Sequence, residues 1–412
     1  MKGPSLPRLA WRNIWRNRRR TMITLVSIAF GTLLATLITG LGDSSYGQMI
    51  DHAAGLGGGH VVVQHAEFAE LPTVKKSVHS QDIATAAMTL PGVTRVVPRI
   101  TTATMLSTTA NSTGAMVMGI DPAAEDEQTL GIAEAIAEGA MFETKGDKGI
   151  ILGSTLADNL SVKLGKKVVY TLTDKSGEIS TGLARVSGIV RTGSPTVDGG
   201  VAILPLDPLR KTLGYDSDEL SQLAIFVDDH RQSTSVADKL GPQVGEAVAL
   251  PWYEAQPDLA GFIAMKTGST MIMEVIITVL IAAGIFNTLF VSVMERMREF
   301  GIMAAIGFSS RQLFGLIMWE SLWIALCGLA TGIAFVAWPY YHLHTTGLDY
   351  RALAGGNVEV AGVAMDPILY VSIYPPHALM IAAAIVLATL AAGLYPAWKA
   401  GRIEPVETIR IV

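Results

Sequence analysis

Charge disappears from the chain in four long stretches, and polar blocks of unequal size separate them. Residues 21–42 carry no charge, and at roughly 1.5 Å of helix per residue they can cross a hydrocarbon core of about 30 Å. Residues 270–294 are uncharged apart from Glu274, 313–343 apart from Glu320, and 374–398 throughout. This pattern predicts a membrane protein with four transmembrane α-helices. Between the first two, residues 43–269 follow a different rhythm: short apolar runs bounded by turn residues. Strands are expected at 60–64, 94–100, 115–120, 168–173, 183–190, 200–204 and 223–227, and helices at 81–90, 129–138, 154–160, 206–213 and 234–240. The reading is an α+β domain inserted between helices 1 and 2, with a division into two subdomains expected near 121–147. Ser154 is expected to cap its helix with Asp158 in the first turn, and Gly177 to mark a hairpin.

The short block 295–312 is built unlike a loop. Glu295, Arg296, Arg298 and Glu299 fall within five residues, and Phe300, Ile302, Met303 and Ile306 follow near helical spacing. Gly301 and Gly307 stand where a backbone can turn or be approached closely. The spacing predicts a short amphipathic helix at the membrane surface; a solvated loop whose charges only fix topology is the alternative. Residues 1–20 hold seven Lys or Arg and no acid. Arg8, Arg12 and Arg16 share one helical face, and Trp11, Ile14 and Trp15 another, which suits the headgroup layer. Basic residues directly before a spanning segment are read as a topology signal, so no nucleic-acid partner is expected.

Charge then orients the chain. Residues 43–270 hold 27 acids against 17 bases, a net of −10, whereas 1–20, 295–311 and 399–412 together carry +9. The positive-inside tendency places 1–20, 295–312 and the tail 399–412 in the cytoplasm. The large domain and the short loop 344–373, with Asp349, Arg351, Glu359 and Asp366, then lie outside. Half of the 412 residues are hydrophobic, 16% are charged, and mean hydropathy is +0.40, as expected for a membrane protein with a soluble part. The apolar stretch 21–42 is long for a signal peptide and no A-x-A site follows it, so an uncleaved anchor is expected. With Cys327 alone, no intrachain disulfide can form.

Catalytic motifs fail on inspection. The glycine spacing at 188–194 lacks the lysine of a phosphate loop, and Gly57, Gly58 and Gly59 read as a flexible joint. His52, His60, His65 and His79 make no compact ligand pattern, and neither G-x-S-x-G nor H-E-x-x-H occurs. Neither catalytic nor metal-binding residues are expected. Gly284, Gly328, Gly332 and Gly393 are expected to let helices approach closely. Glu274 and Glu320 are expected near the interfaces rather than in a proton relay.

The sequence E-R-M-R-E-F-G-I-M-A-A-I-G at 295–307 and Y-P-A-W-K-A-G-R-I-E-P-V-E-T-I-R at 395–410, in this layout, resemble the FtsX-like permease family. That family includes the macrolide-exporter (MacB) and lipoprotein-releasing (LolC/LolE) permeases of ABC transporters. The segments 149–168 and 186–194 are similar to the MacB-type periplasmic core domain; Lys166 departs from the acid often found there. The resemblance implies a multi-pass protein of the bacterial inner membrane with its large domain in the periplasm. It implies two permeases, identical or paralogous, each docking an ABC ATPase subunit. With no fused nucleotide-binding domain seen, ATP and Mg are expected on that partner and no cofactor on this chain. The implied coupling residues are Glu295, Arg296, Arg298 and Glu299, docking by charge, with Gly301 and Gly307 setting the helix ends. A lipoprotein cargo, approaching between the first and second spans, would meet Met49, Ile50, Phe262, Ile263, Met265 and Met271; the same residues could instead only seat the domain on the bilayer. Export of drugs, peptides or other lipids is one alternative. Activation of a periplasmic hydrolase without transport is another.

Overall fold

The four uncharged runs become helices Arg18–Leu56, Pro257–Glu295, Ser310–Thr345 and Pro375–Gly401 in the computed structural model. It describes residues 6–68, 73–126, 128–133, 135–349, 359–360, 363–364 and 368–402. The expected features at Arg351, Asp366 and 403–412 lie outside the described residues. All four helices are long and apolar enough to cross a membrane. The first two reach well beyond the charge-free stretches: nothing between Asp43 and Leu56 breaks the helical hydrogen-bond ladder before the glycines at 57–59. The described residues of 1–45, 265–348 and 368–412 form one unit, and those of 46–264 and 349–367 a second.

In the helical unit, the core joins Ile28 and Ala35 of the first helix to Ile285 and Leu289, Ile324, and Ile381 and Ile385 of the other three. Small residues set the spacing. A Cβ on Gly328 would lie 2.6 Å from Ile28, on Gly332 2.7 Å from Thr32, and on Gly393 2.2 Å from Ser321. Gly284 does not share this role, because a Cβ there would meet open space. Helix Leu6–Ile14 leads through a 3-10 turn, Trp15–Asn17, into the first long helix. It turns Ala10 and Ile14 inward and leaves Trp11 and Trp15 partly exposed. Trp323 of the third long helix donates to the carbonyl of Pro7 (3.2 Å), and its ring meets that of Trp11 edge-on at 5.0 Å. Further along, Asp43 accepts from the Tyr374 backbone N–H (2.9 Å) and from His377 Nδ1 (2.8 Å), tying the first long helix to the start of the fourth.

The second unit carries twelve strands among its residues 46–264: β1 (Val61–His65), β2 (Val78–His79), β3 (Val93–Ser107), β4 (Ser112–Ile120), β5 (Ile136–Gly139), β6 (Gly149–Gly153), β7 (Lys167–Thr173), β8 (Ile179–Val190), β9 (Val201–Pro205), β10 (Glu219–Leu220), β11 (Gln222–Val227) and β12 (Ala247–Pro251). The main sheet runs β12-β1-β11-β3-β4-β9-β6-β8-β5, with β7 joining β3 to β8, and β2 and β10 pair separately. Every expected strand is present. β2, β6, β10 and β12 went unpredicted: β2 and β10 are two residues each, β6 is three buried residues between glycines, and β12 is half-buried with alanines. Gly177 (φ +94°) turns the β7–β8 hairpin as expected, and Asp174 caps that turn by accepting from the Ser176 and Glu178 N–H groups.

Four expectations fail here for physical reasons. Residues 129–138 are not a helix: Leu130 and Ile132, two apart, both enter the core, and Ile136–Gly139 pairs with β8. No subdomain boundary falls at 121–147, because Ile120, Leu130, Ile132 and Phe142 share one cluster with Ile151 and Ile203. The cap of Ser154–Asn159 is the extended backbone of Gly153; Ser154 is the first helical residue and caps nothing, and Asp158 sits in the last turn. The 57–59 glycines are not a flexible joint either. Gly59 (φ +80°) packs so closely on β11 that a Cβ would lie 2.7 Å from the Ile225 backbone, and Gly57 offers its carbonyl to the fully buried Arg99.

Candidate functional site

Between the second and third long helices the chain forms helix Met297–Ala305, the predicted amphipathic element, narrower than the block 295–312. Gly307 (φ +105°) ends it, and Ser309 then opens the third long helix with a capping box closed by Gln312. Gly301 does not set an end. It lies inside the helix and is buried beside Phe300, which is fully buried in a cluster with Ala10, Val293, Leu313, Ile317 and Ala397.

The four charged residues divide sharply. Glu295 pairs with Arg20 (2.8 Å). Glu299 accepts from Arg16 Nη1 (2.9 Å) and from Arg296 Nε (3.2 Å). Arg296 also donates Nη1 to both oxygens of Glu320 (3.2 and 3.3 Å), and its guanidinium lies 5.1 Å from the Phe300 ring centre. Asn13 Nδ2 adds a third bond to Glu320 (2.7 Å). Hydrogen bonding from Arg16, with Arg296 behind it, holds the Glu299 carboxyl below the usual carboxylate range against the opposing effect of partial burial. Glu295, Arg296 and Glu299 are therefore committed to neighbours within the chain. Arg298 is exposed and makes no ion pair among the described residues.

What the helix offers outward is Arg298, Ile302, Ala305 and Ile306, at i, i+4, i+7 and i+8. Ile302 is 49% and Ile306 72% exposed. The result is one face carrying a single cation and two large apolar side chains. The opposite face is fixed by Phe300, Gly301 and the Arg296 anchor. Sequence reasoning located the helix but not the internal pairing of Glu295, Arg296 and Glu299, because Arg16, Arg20 and Glu320 lie far from them along the chain. Glu320, expected where water or headgroups could reach it, is instead enclosed by protein at 6% exposure. Its isolation in an apolar run was the available signal that it had a partner.

The residues expected to face cargo are not one surface. Met49 (2% exposed) and Ile50 (4%) are buried, Met49 in a cluster with Ala53 and Leu259 that Phe262 and Ile263 flank. Met49 packs the end of the first long helix against the start of the second, and neither it nor Ile50 offers a free surface. Met265 and Met271 are exposed. Met271 lines a cavity of about 250 Å³ with Gly31, Ala35, Glu274, Ile281 and Ile385. Glu274 there accepts a hydrogen bond from the Thr39 hydroxyl, so it too has a partner in the helical unit. Among the described residues no group of three His, Cys, Asp or Glu side chains could hold a metal ion.

Residues 21–243 match the MacB-like periplasmic core domain, and residues 271–405 the FtsX-like permease C-terminal domain. The lipoprotein-releasing system transmembrane protein LolC of Xylella fastidiosa is 24% identical over 366 residues, covering 85% of this chain and 86% of that protein. The macrolide export ATP-binding/permease protein MacB of Agrobacterium fabrum is 22% identical over 98% of this chain and 60% of its own length. The crystal structure of the periplasmic region of MacB from Actinobacillus actinomycetemcomitans aligns with 52% of this chain and 98% of its own at 14% identity and a TM-score of 0.35. Two family domains in this order, on a chain with four membrane-length helices, make it a member of the FtsX-like ABC transporter permeases that carry a MacB-like periplasmic core domain.

Proposed function

We propose that this chain is the permease subunit of an ABC transporter that passes the work of ATP hydrolysis, performed by a separate ATPase subunit, to the periplasmic side of the inner membrane. Lipoproteins leaving that membrane are the cargo. The observation that carries this reading is the outward face Arg298, Ile302, Ala305 and Ile306 on a helix whose back is anchored. Exposed apolar side chains beside an arginine suit an interface, whose buried core is apolar and in which arginine is enriched. ATP and Mg belong to the partner. A second permease, identical or paralogous, completes the assembly, and the four long helices cross the bilayer with both termini in the cytoplasm.

Lipoprotein release draws support from the LolC relative, which matches this chain across most of both lengths. Met265 and Met271, exposed and soft, suit an acylated cargo beside the second helix. The test is depletion of the chain in its own cell: lipoproteins destined for the outer membrane should accumulate unreleased. Normal lipoprotein sorting with a cell-wall or separation defect would replace this cargo with a periplasmic hydrolase.

A further inference from the structure

Three elements converge on one buried carboxylate. Glu320 belongs to the third long helix, Asn13 to the N-terminal helix, and Arg296 is the non-helical residue (φ −104°, ψ 12°) between the second long helix and the candidate coupling helix. Arg296 is thus the joint at which a push on the coupling helix must act. Its N–H bonds the Val293 carbonyl of the long helix and its own carbonyl accepts from the Phe300 N–H (both 3.1 Å), so its backbone bridges the two helices at the change of direction. Its side chain is held by Glu320 behind it, by Glu299 one turn ahead and by the Phe300 ring.

A buried ion pair is a poor way to gain stability, since desolvation offsets most of the attraction; a well-packed apolar pair would serve as well or better. It does fix direction, because a guanidinium and a carboxylate meet in few geometries. We propose that Glu320 is the positioning residue of the coupling step. It sets the angle of the coupling helix through Arg296 and carries its displacement into the third long helix. It touches neither nucleotide nor ATPase. This inference rests on the reading of the chain as an ATPase-coupled permease.

The experiment uses the full chain in nanodiscs with the stand-alone ABC ATPase of the same cell that binds it, and reads both the Kd for the ATPase and the kcat of ATP hydrolysis by the bound ATPase. Glu320→Gln should leave Kd and melting temperature near those of the parent, within about twofold for Kd. It should move kcat at least threefold, from the value of the parent complex towards that of the ATPase alone. Arg296→Gln should move kcat the same way. The double variant Glu320→Gln with Arg296→Gln should return towards the parent, because two amides can bond where one charge was stranded. An unchanged kcat in Glu320→Gln would overturn the proposal. So would a kcat that falls only in step with Kd or melting temperature, since that is what a purely structural residue does. A parent chain that recruits no ATPase would remove the reading beneath it, an outcome distinct from both.

Discussion

In the sheet unit, Arg99 closes on Glu125 with every guanidinium N–H engaged. Nε and Nη2 bond the two carboxylate oxygens (2.9 and 3.0 Å), Nη2 also bonds the Thr129 carbonyl (2.6 Å), and Nη1 bonds the carbonyls of Ala54 (3.4 Å) and Gly57. In the helical unit, Arg296 meets Glu320 through Nη1 alone, shares itself with Glu299, and leaves Nη2 without a hydrogen bond among the described residues. Both arginines face a carboxylate that is almost fully buried. The first pair is saturated and ties β3 to two separate chain segments, 54–57 and 125–129, at once, so it can only hold. The second is divided between two acids and a ring, at longer distances, so it can change its share of each. The lesson is that burial of an ion pair does not by itself say what it does; the fraction of its donors already spent does.

The comparison can be broken most severely at Arg99. Arg99→Met leaves the Glu125 charge buried and unpaired, and three carbonyls lose their donor. A loss of about 3–5 kcal/mol is expected, read as a collapse of hydrogen-exchange protection in β1, β3 and β11. A loss below about 1 kcal/mol, the scale of one ordinary hydrogen bond, would mean the pair is no keystone. Gly307→Ala should cost less, about 1–3 kcal/mol for a Cβ at positive φ. Its effect should appear as a shortened lifetime of the coupling-helix amides with the sheet unit untouched.

Glu299 sharpens the contrast through pH. Its folded-state pKa lies below the ordinary 4.5, so its stabilising contribution is fully present above that pH and fades as pH falls through the lowered value. Exchange of the Met297–Ala305 amides should therefore quicken below about pH 4.5 in the parent relative to its pH 7 baseline, once the intrinsic rate is divided out. Glu299→Gln should abolish that step. The smallest structural effect belongs to Arg298→Glu, which should leave melting unchanged, within the roughly ±0.5 kcal/mol of an ordinary surface change, while weakening ATPase recruitment.

The fold was legible wherever a strand buried one face between turn residues, and β1, β3, β4, β7, β8, β9 and β11 all announced themselves this way. It was illegible where tertiary demand overruled local spacing, as in the stretch expected as a helix at 129–138, where Leu130 and Ile132 enter the core from irregular backbone and Ile136–Gly139 pairs as a strand. The candidate site was half legible. Alternating charge followed by apolar residues located helix Met297–Ala305, but burial decided which side of it faces out. The partners that engage Glu295, Arg296 and Glu299 are Arg20 at the start of the first long helix, Glu320, and Arg16 in the 3-10 turn before that helix; Arg16 and Glu299 stand 283 positions apart. A single sequence carries no record of such a contact, and only the misplaced acid in an apolar run hints at it.

The most direct measurement is a titration of the ABC ATPase against the full chain in nanodiscs, comparing the parent with Ile302→Asp/Ile306→Asp and with Glu295→Gln. The exposed-face variant should raise Kd at least tenfold and the Glu295 variant less than twofold, with both chains melting as the parent does. Equal binding by the parent and the Ile302→Asp/Ile306→Asp chain would contradict the account, because the coupling helix would then not be where the ATPase sits.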